Sequence, residues 1–297
     1  MNNINWYPGH MKKTRELIQE NLKLVDILLE VIDARIAVSS RNPILDELVG
    51  KKRRLIILNK SDLADATENE KWLESFRQAG HDAVKMNSMS GEGVKELLKT
   101  LARMQEKKNE SVAVKRPLRL MIAGVPNVGK SSLVNRLTGR KSAQTGNKPG
   151  VTKGKQWLTL ENGMQLLDTP GILWPKFEDP NEGVNLALCG SIKDEILDIE
   201  DLAFKLISVL ANDYADLLTE RYKIDNIDKI VNIDNIDRND LGIGSDKTNA
   251  IFDIMELIAV KRGFILSGGR IDHLRTSKVL LDEFRNGIIG RITLERA

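Results

Sequence analysis

A chain of 297 residues, 41% hydrophobic and 29% charged, has material for about two globular domains and an ordinary buried core. No apolar run approaches the roughly 18 to 20 residues of a spanning helix, and residues 1–13 have neither the apolar core of a secretory leader nor the Arg-rich pattern of a transit peptide, so a soluble cytoplasmic protein without membrane contact is expected. The single cysteine, Cys189, excludes an intramolecular disulfide and a cysteine zinc cluster, whereas a net charge of +3 excludes little.

The first half alternates strand and helix signals. Residues 14–24 carry a helical pattern, and Pro8-Gly9 ahead of them predicts a turn. Residues 26–32 form a short apolar run of the buried parallel type, and 54–58 form another, ending at Asn59-Lys60-Ser61-Asp62. A helix is predicted over 67–78 around Trp72, Leu73 and Phe76, then a strand over 83–86 that ends at Asn87-Ser88, then an amphipathic helix over 91–106. The charged stretch 107–117 reads as a surface linker. Residues 118–123 form the strand before Gly124, a helix begins at Ser131, and 156–160 with 164–167 form a hairpin about Asn162-Gly163. Such alternation implies a parallel sheet covered on both faces. Past about residue 180 only helical spacing remains, at 183–190, 200–221, 246–262 and 272–286, with the Asp/Asn-rich 225–240 as a polar connection. The expected division is an α/β domain over 1–180 and an all-helical domain over 181–297.

Gly124 to Ser131 fits G-x-x-x-x-G-K-S between a strand and a helix, the context a phosphate loop requires. Backbone N–H groups through Asn127, Val128 and Gly129, with the helix N-terminus behind them, would bind α and β phosphates. Lys130 would bridge β and γ oxygens, Ser131 would hold Mg²⁺ and Ser132 would donate to the α phosphate. The tetrad supplies guanine specificity, because the Asp62 carboxylate accepts from N1–H and the exocyclic amine, a pattern adenine lacks. Asn59 would accept from or donate to the other edge of the base and brace the loop, the Lys60 stem would pack over the ring, and Ser61 completes the segment. Asn87-Ser88 either offers a backbone N–H to the guanine carbonyl or is a plain loop. Asp168, in Asp168-Thr169-Pro170-Gly171, would hold the Mg²⁺ shell through water, and the Gly171 N–H would touch the γ-phosphate. Thr152 is the candidate switch threonine on Mg²⁺, with Thr145 as its competitor. GTPases ordinarily run phosphate loop first and base tetrad last; here the tetrad comes first, so the chain reads as a circularly permuted P-loop GTPase domain followed by the helical one. Ile172 stands where a water-orienting glutamine usually follows the glycine, so another group must do that task, or the chain is a non-catalytic GTP-dependent binding module.

With this permuted order, Trp6-Tyr-Pro-Gly-His-Met11, Asp33-Ala-Arg-Ile-Ala-Val-Ser-Ser-Arg-Asn-Pro43 and Ile172, the chain resembles the circularly permuted GTPases of ribosome assembly over essentially its whole length. It departs at Ala37, where that family commonly has proline. The resemblance implies binding of GTP and GDP and a late step in maturation of the large ribosomal subunit, with contacts to its rRNA. It implies His10 as the catalytic residue that positions water; without it, His10 reads as a helix cap or an RNA contact. Asn127 resembles the asparagine that binds K⁺ in potassium-activated GTPases, and is otherwise an ordinary loop residue. Lys261, Arg262, Arg270, Arg275, Lys278, Arg285 and Arg291 are either phosphate contacts or the solvated faces of helices, and the resemblance favours RNA. A monomer is expected.

Overall fold

The buried apolar runs become strands of one sheet in the computed structural model, which describes residues 8–50, 52–110, 114–139, 156–160, 162–168, 179–224 and 245–297. The elements in chain order are α1 (Pro8–Leu24), β1 (Ile27–Asp33), α2 (Pro43–Val49), β2 (Arg53–Asn59), α3 (Ala66–Gln78), β3 (Asp82–Met86), α4 (Val94–Asn109), β4 (Arg119–Ala123), α5 (Lys130–Thr138), β5 (Gln156–Thr159) and β6 (Gln165–Asp168). The six strands lie in the order β3-β2-β1-β4-β6-β5, all parallel except β5, which pairs antiparallel with β6. Renumbered from β4 and continued around through β3, the same sheet reads 2-3-1-4-5-6 from its β5 edge, so the permutation changes where the chain starts and leaves the spatial order intact.

Helices on both faces explain why β1 is buried at all seven positions and shows no alternation. Strand alternation puts Leu28, Ile32, Ile56, Leu58, Met121 and Leu167 on one face. Ile18 and Leu22 of α1 and Leu45 and Val49 of α2 pack with Leu28, Met121 and Leu167, and Trp72, Leu73 and Phe76 of α3 pack further along the same face with Ile32, Ile56 and Leu58. α2 went unpredicted, although Asn42-Pro43 carries its start signal: the Asn42 side chain accepts from Ile44 N–H at 3.0 Å and proline opens the first turn. The turn predicted at Pro8-Gly9 is instead the start of α1, for the same reason that proline's fixed φ and missing N–H suit a first helical turn. The 107–117 linker is shorter than predicted, since α4 runs on to Asn109. Its end is tied down where Lys108 Nζ meets Asp26 Oδ2 at 2.6 Å and the Arg119 N–H donates to the same oxygen at 2.8 Å.

Contacts divide the chain into residues 1–186 with 295–297, and residues 187–294. The first break falls within α6 (Pro180–Leu188), six residues beyond the boundary expected from the sequence. The second unit is helical among its described residues, with α7 (Ile199–Asp213), α8 (Ala215–Tyr222), α9 (Ser245–Arg262) and α10 (His273–Arg285). Its core joins Leu202, Leu206 and Leu210 to Ile254, Ile258, Leu280, Leu281 and Phe284. The single helix predicted over 200–221 breaks at Tyr214, whose hydroxyl donates to the Thr293 carbonyl at 2.9 Å and accepts its N–H at 3.0 Å. Residues 225–240, predicted as a polar connection, lie outside the described residues.

The return of the last three residues to the first unit rests on Glu295. Its carboxylate accepts from the N–H groups of Val38 and Ser39, the Ser39 hydroxyl and Asn185 Nδ2, and its carbonyl accepts from the Trp72 indole at 3.3 Å. Burial pushes the carboxyl up from the usual range, while these donors pull the other way. Glu295→Ala leaves the Val38 and Ser39 N–H groups without their acceptor, a loss of about 1 to 3 kcal/mol. A thermal melt of the variant should come about 3 to 10 °C lower; an unchanged melt would show that these contacts carry no stability.

Candidate functional site

Every parallel strand ends at the same sheet edge, and the direction of winding reverses between β1 and β4: from β1 the chain proceeds to β2, from β4 toward β6. In such sheets the crevice at that reversal, outside the carboxyl ends of the strands, receives the ligand. The Gly124–Gly129 loop leaves β4 there and enters α5. Gly124 has φ 154°, and a Cβ on it would stand 2.3 Å from the Val31 carbonyl oxygen, so the close pass of β1 demands glycine. Asn127 adopts φ 61°, a left-handed conformation that asparagine tolerates better than most residues. α5 starts after Gly129 with no side-chain cap, so its first N–H groups face the loop. Lys130 is 8% exposed and lies over that loop, with Nζ donating to the Val125 carbonyl at 2.6 Å. Ser131 and Ser132 follow in the same first turn.

Asn59, at the end of β2, draws the separate motifs together. Its Nδ2 donates to the Val128 carbonyl at 2.6 Å, 69 positions away, and its Oδ1 accepts from the Ser88 N–H at 3.0 Å and the Ser88 hydroxyl at 2.8 Å. Gly129 makes room for this bridge, since a Cβ there would sit 2.2 Å from Asn59 Nδ2. The Ser88 N–H is thus directed at Asn59, while Asn87 Oδ1 accepts from the N–H groups of Met89 (2.8 Å) and Ser90 (3.0 Å) and shapes the turn. Ser61 N–H donates to the Met86 carbonyl, and Asn69 holds the Ser61 carbonyl at 2.9 Å, which braces the tetrad and leaves Asp62 exposed.

Two residues here escaped sequence reasoning as parts of the site. Asp33 ends β1 in register with Asn59, and its Oδ2 meets Lys60 Nζ at 2.9 Å. Arg35 grips the same carboxylate through Nε at 3.0 Å and Nη2 at 2.8 Å. Burial alone would raise the Asp33 pKa, but the Arg35 guanidinium and the Lys60 ammonium hold it well below the usual carboxylate range. The available signal was a second charge, after Glu30, closing a mostly apolar strand.

Asp168 closes β6 beside β4, and His10 lies in the first turn of α1. Thr145, Thr152, Gly171 and Ile172 lie outside the described residues. Among the described residues no group of three or more His, Cys, Asp or Glu side chains could hold a metal ion, and no helix is long and apolar enough to cross a membrane.

A sheet of order 2-3-1-4-5-6 with a phosphate loop at its switch point, and a base tetrad encoded ahead of that loop, defines a circularly permuted P-loop GTPase. Residues 119–236 match the family described as 50S ribosome-binding GTPase. Ribosome biogenesis GTPase A of Bacillus cereus is 39% identical over 98% of this chain and 93% of its own. Among solved structures, a GDP-bound TM YlqF superposes with a TM-score of 0.65 at 28% identity, covering 94% of this chain and 98% of that one. A GNP-bound YlqF from T. maritima gives 0.63 over 96% and 98%. The chain belongs to the ribosome biogenesis GTPase A family and is a GTPase.

Proposed function

We propose that this GTPase is a cytoplasmic switch that engages the large ribosomal subunit during its assembly and is released when GTP is hydrolysed. The observation that carries the reading is Asn59, one buried amide joining base tetrad, phosphate loop and the Ser88 loop. In this reading Asp62 reads the guanine edge and the Lys60 stem covers the ring. Lys130, the Asn127–Gly129 amides and Ser132 hold the phosphates, with Thr152 and Gly171 reporting the γ-phosphate. Ser131 stands in the first turn of α5 and Asp168 closes β6, and a hydroxyl and a carboxylate are hard oxygen donors. That set suits Mg²⁺, which takes few protein ligands and fills its shell with phosphate and water oxygens. When bound, Mg²⁺ neutralises charge on the transferring phosphoryl group. The exposed Lys261, Arg270, Arg275 and Lys278 of the helical unit give rRNA phosphates a basic surface.

Multiple-turnover hydrolysis measured with and without large subunits tests the reading. Stimulation by subunits, together with co-sedimentation in GTP and not in GDP, is expected; a rate that stays slow in both conditions would mark a binding module instead. K⁺ should stimulate hydrolysis more than Na⁺ if Asn127 helps seat a monovalent cation against the phosphates. Because Asn127 is left-handed, Asn127→Gly removes the side chain while keeping the backbone conformation, and it should erase the difference between the salts. Equal native rates in both salts would retire the cation.

A further inference from the structure

The segment that opens with Asp33 carries no role in the reading above, yet it reaches directly into the tetrad. We propose that Asp33 is a positioning residue for guanine binding: it fixes the Lys60 side chain at the sheet edge before nucleotide arrives, and Arg35 fixes Asp33. The inference rests on the reading that the Lys60 stem lies against the guanine ring. Three features support it. Asp33 and Asn59 are paired in the β1–β2 register, and the ladder continues through the Ala34 N–H, which donates to the Asn59 carbonyl at 2.8 Å; the carboxylate is therefore set by the sheet itself. Lys60 has φ 58°, a conformation that costs a lysine energy, and its Nζ reaches Asp33 at the end of β1. The carboxylate is already gripped on both oxygens by Arg35, 1% exposed, whose own N–H also donates to Oδ1 at 3.1 Å, so Lys60 meets an anchor that cannot swing. Two cations on one buried carboxylate leave the corner net positive, and 23% of the Lys60 side chain remains exposed beside it.

A free lysine must be ordered when the base binds, and an anchored one has been ordered already; preorganisation of this kind lowers the cost of binding. Asp33→Asn should weaken GDP and GTP by the same factor, about 3- to 10-fold, the gain expected from ordering one flexible side chain in advance. The rate at saturating GTP should not follow it. The deciding experiment is a double-mutant cycle with Lys60→Met, which keeps the stem and removes the anchored ammonium, read by fluorescent-GDP titration of the full chain. K60M should weaken binding about as much as D33N, and D33N should add nothing in the K60M background. If D33N weakens binding equally in both backgrounds, Asp33 acts only on the fold and the proposal is overturned. If K60M weakens binding while D33N binds as the native chain does, the proposal falls and the tetrad reading survives. Native affinity in both would overturn the reading of Lys60 as well. Should D33N show no cooperative melt, Asp33→Glu, which keeps the charge but carries it one methylene further, faces the same cycle and the same outcomes.

Discussion

Gly129→Ala is expected to weaken GTP and GDP binding by about 30- to 1,000-fold while the chain remains folded. Two costs coincide at this position. The backbone φ of 98° is one that residues with a Cβ rarely adopt, and the new methyl would sit 2.2 Å from Asn59 Nδ2. Relief requires Asn59 to move, which breaks its bond to the Val128 carbonyl and loosens its hold on Ser88. Strain plus one lost buried hydrogen bond comes to about 2 to 4 kcal/mol, and each 1.4 kcal/mol is tenfold in affinity. The substitution therefore strikes base recognition and phosphate binding together, although Gly129 belongs by sequence to the phosphate loop alone. Nucleotide titration beside a thermal melt checks it; native affinity with a native melt would mean that the Asn59 bridge does not shape the site.

That coupling marks the line between what the sequence disclosed and what it did not. The phosphate loop and the tetrad are runs of four to eight residues whose chemistry is local, and strand signals before each of them fixed the sheet edge where they meet. The permutation was legible too, because it is only an order of motifs. That Asn59 braces a loop was expected, but its partners were not, since the bond to Val128 depends on β1 lying between β2 and β4 and bringing residues 69 positions apart within one hydrogen bond. Asp33 reads in isolation as an ordinary polar strand end. Glu295 was less visible still: nothing near it in the chain pairs it with Ser39, 256 residues earlier, and this pairing is what returns the C-terminal residues to the nucleotide-binding unit. A deletion of 181–297, designed from sequence to remove only the helical domain, would also remove the acceptor for the Val38 and Ser39 N–H groups. It would disturb the segment that begins at Asp33.

His10→Ala should leave GTP affinity and subunit binding near native and lower the subunit-stimulated rate by about 10- to 1,000-fold, the range of a positioned general base or water-orienting group. Ile172 has no polar atom with which to orient water, so the task must fall to another group. The backbone gives His10 a reason to be considered. α1 ends at Leu24, just before β1 begins, and its Ile18 and Leu22 are buried against Leu28 and Met121. A helix of 17 residues is about 25 Å long and β1 about 23 Å, so α1, running back along the sheet, carries its first turn toward the edge where Asp33, Asn59 and Gly124 stand. A histidine there sits on a helix anchored two turns away, and neutral imidazole can accept a proton or a hydrogen bond from water at physiological pH. The assay compares single-turnover hydrolysis by native and variant chains, each saturated with GTP and bound to large subunits. A native rate for His10→Ala on the subunit would remove this residue from the mechanism and leave the orienting group to be supplied by the ribosomal particle.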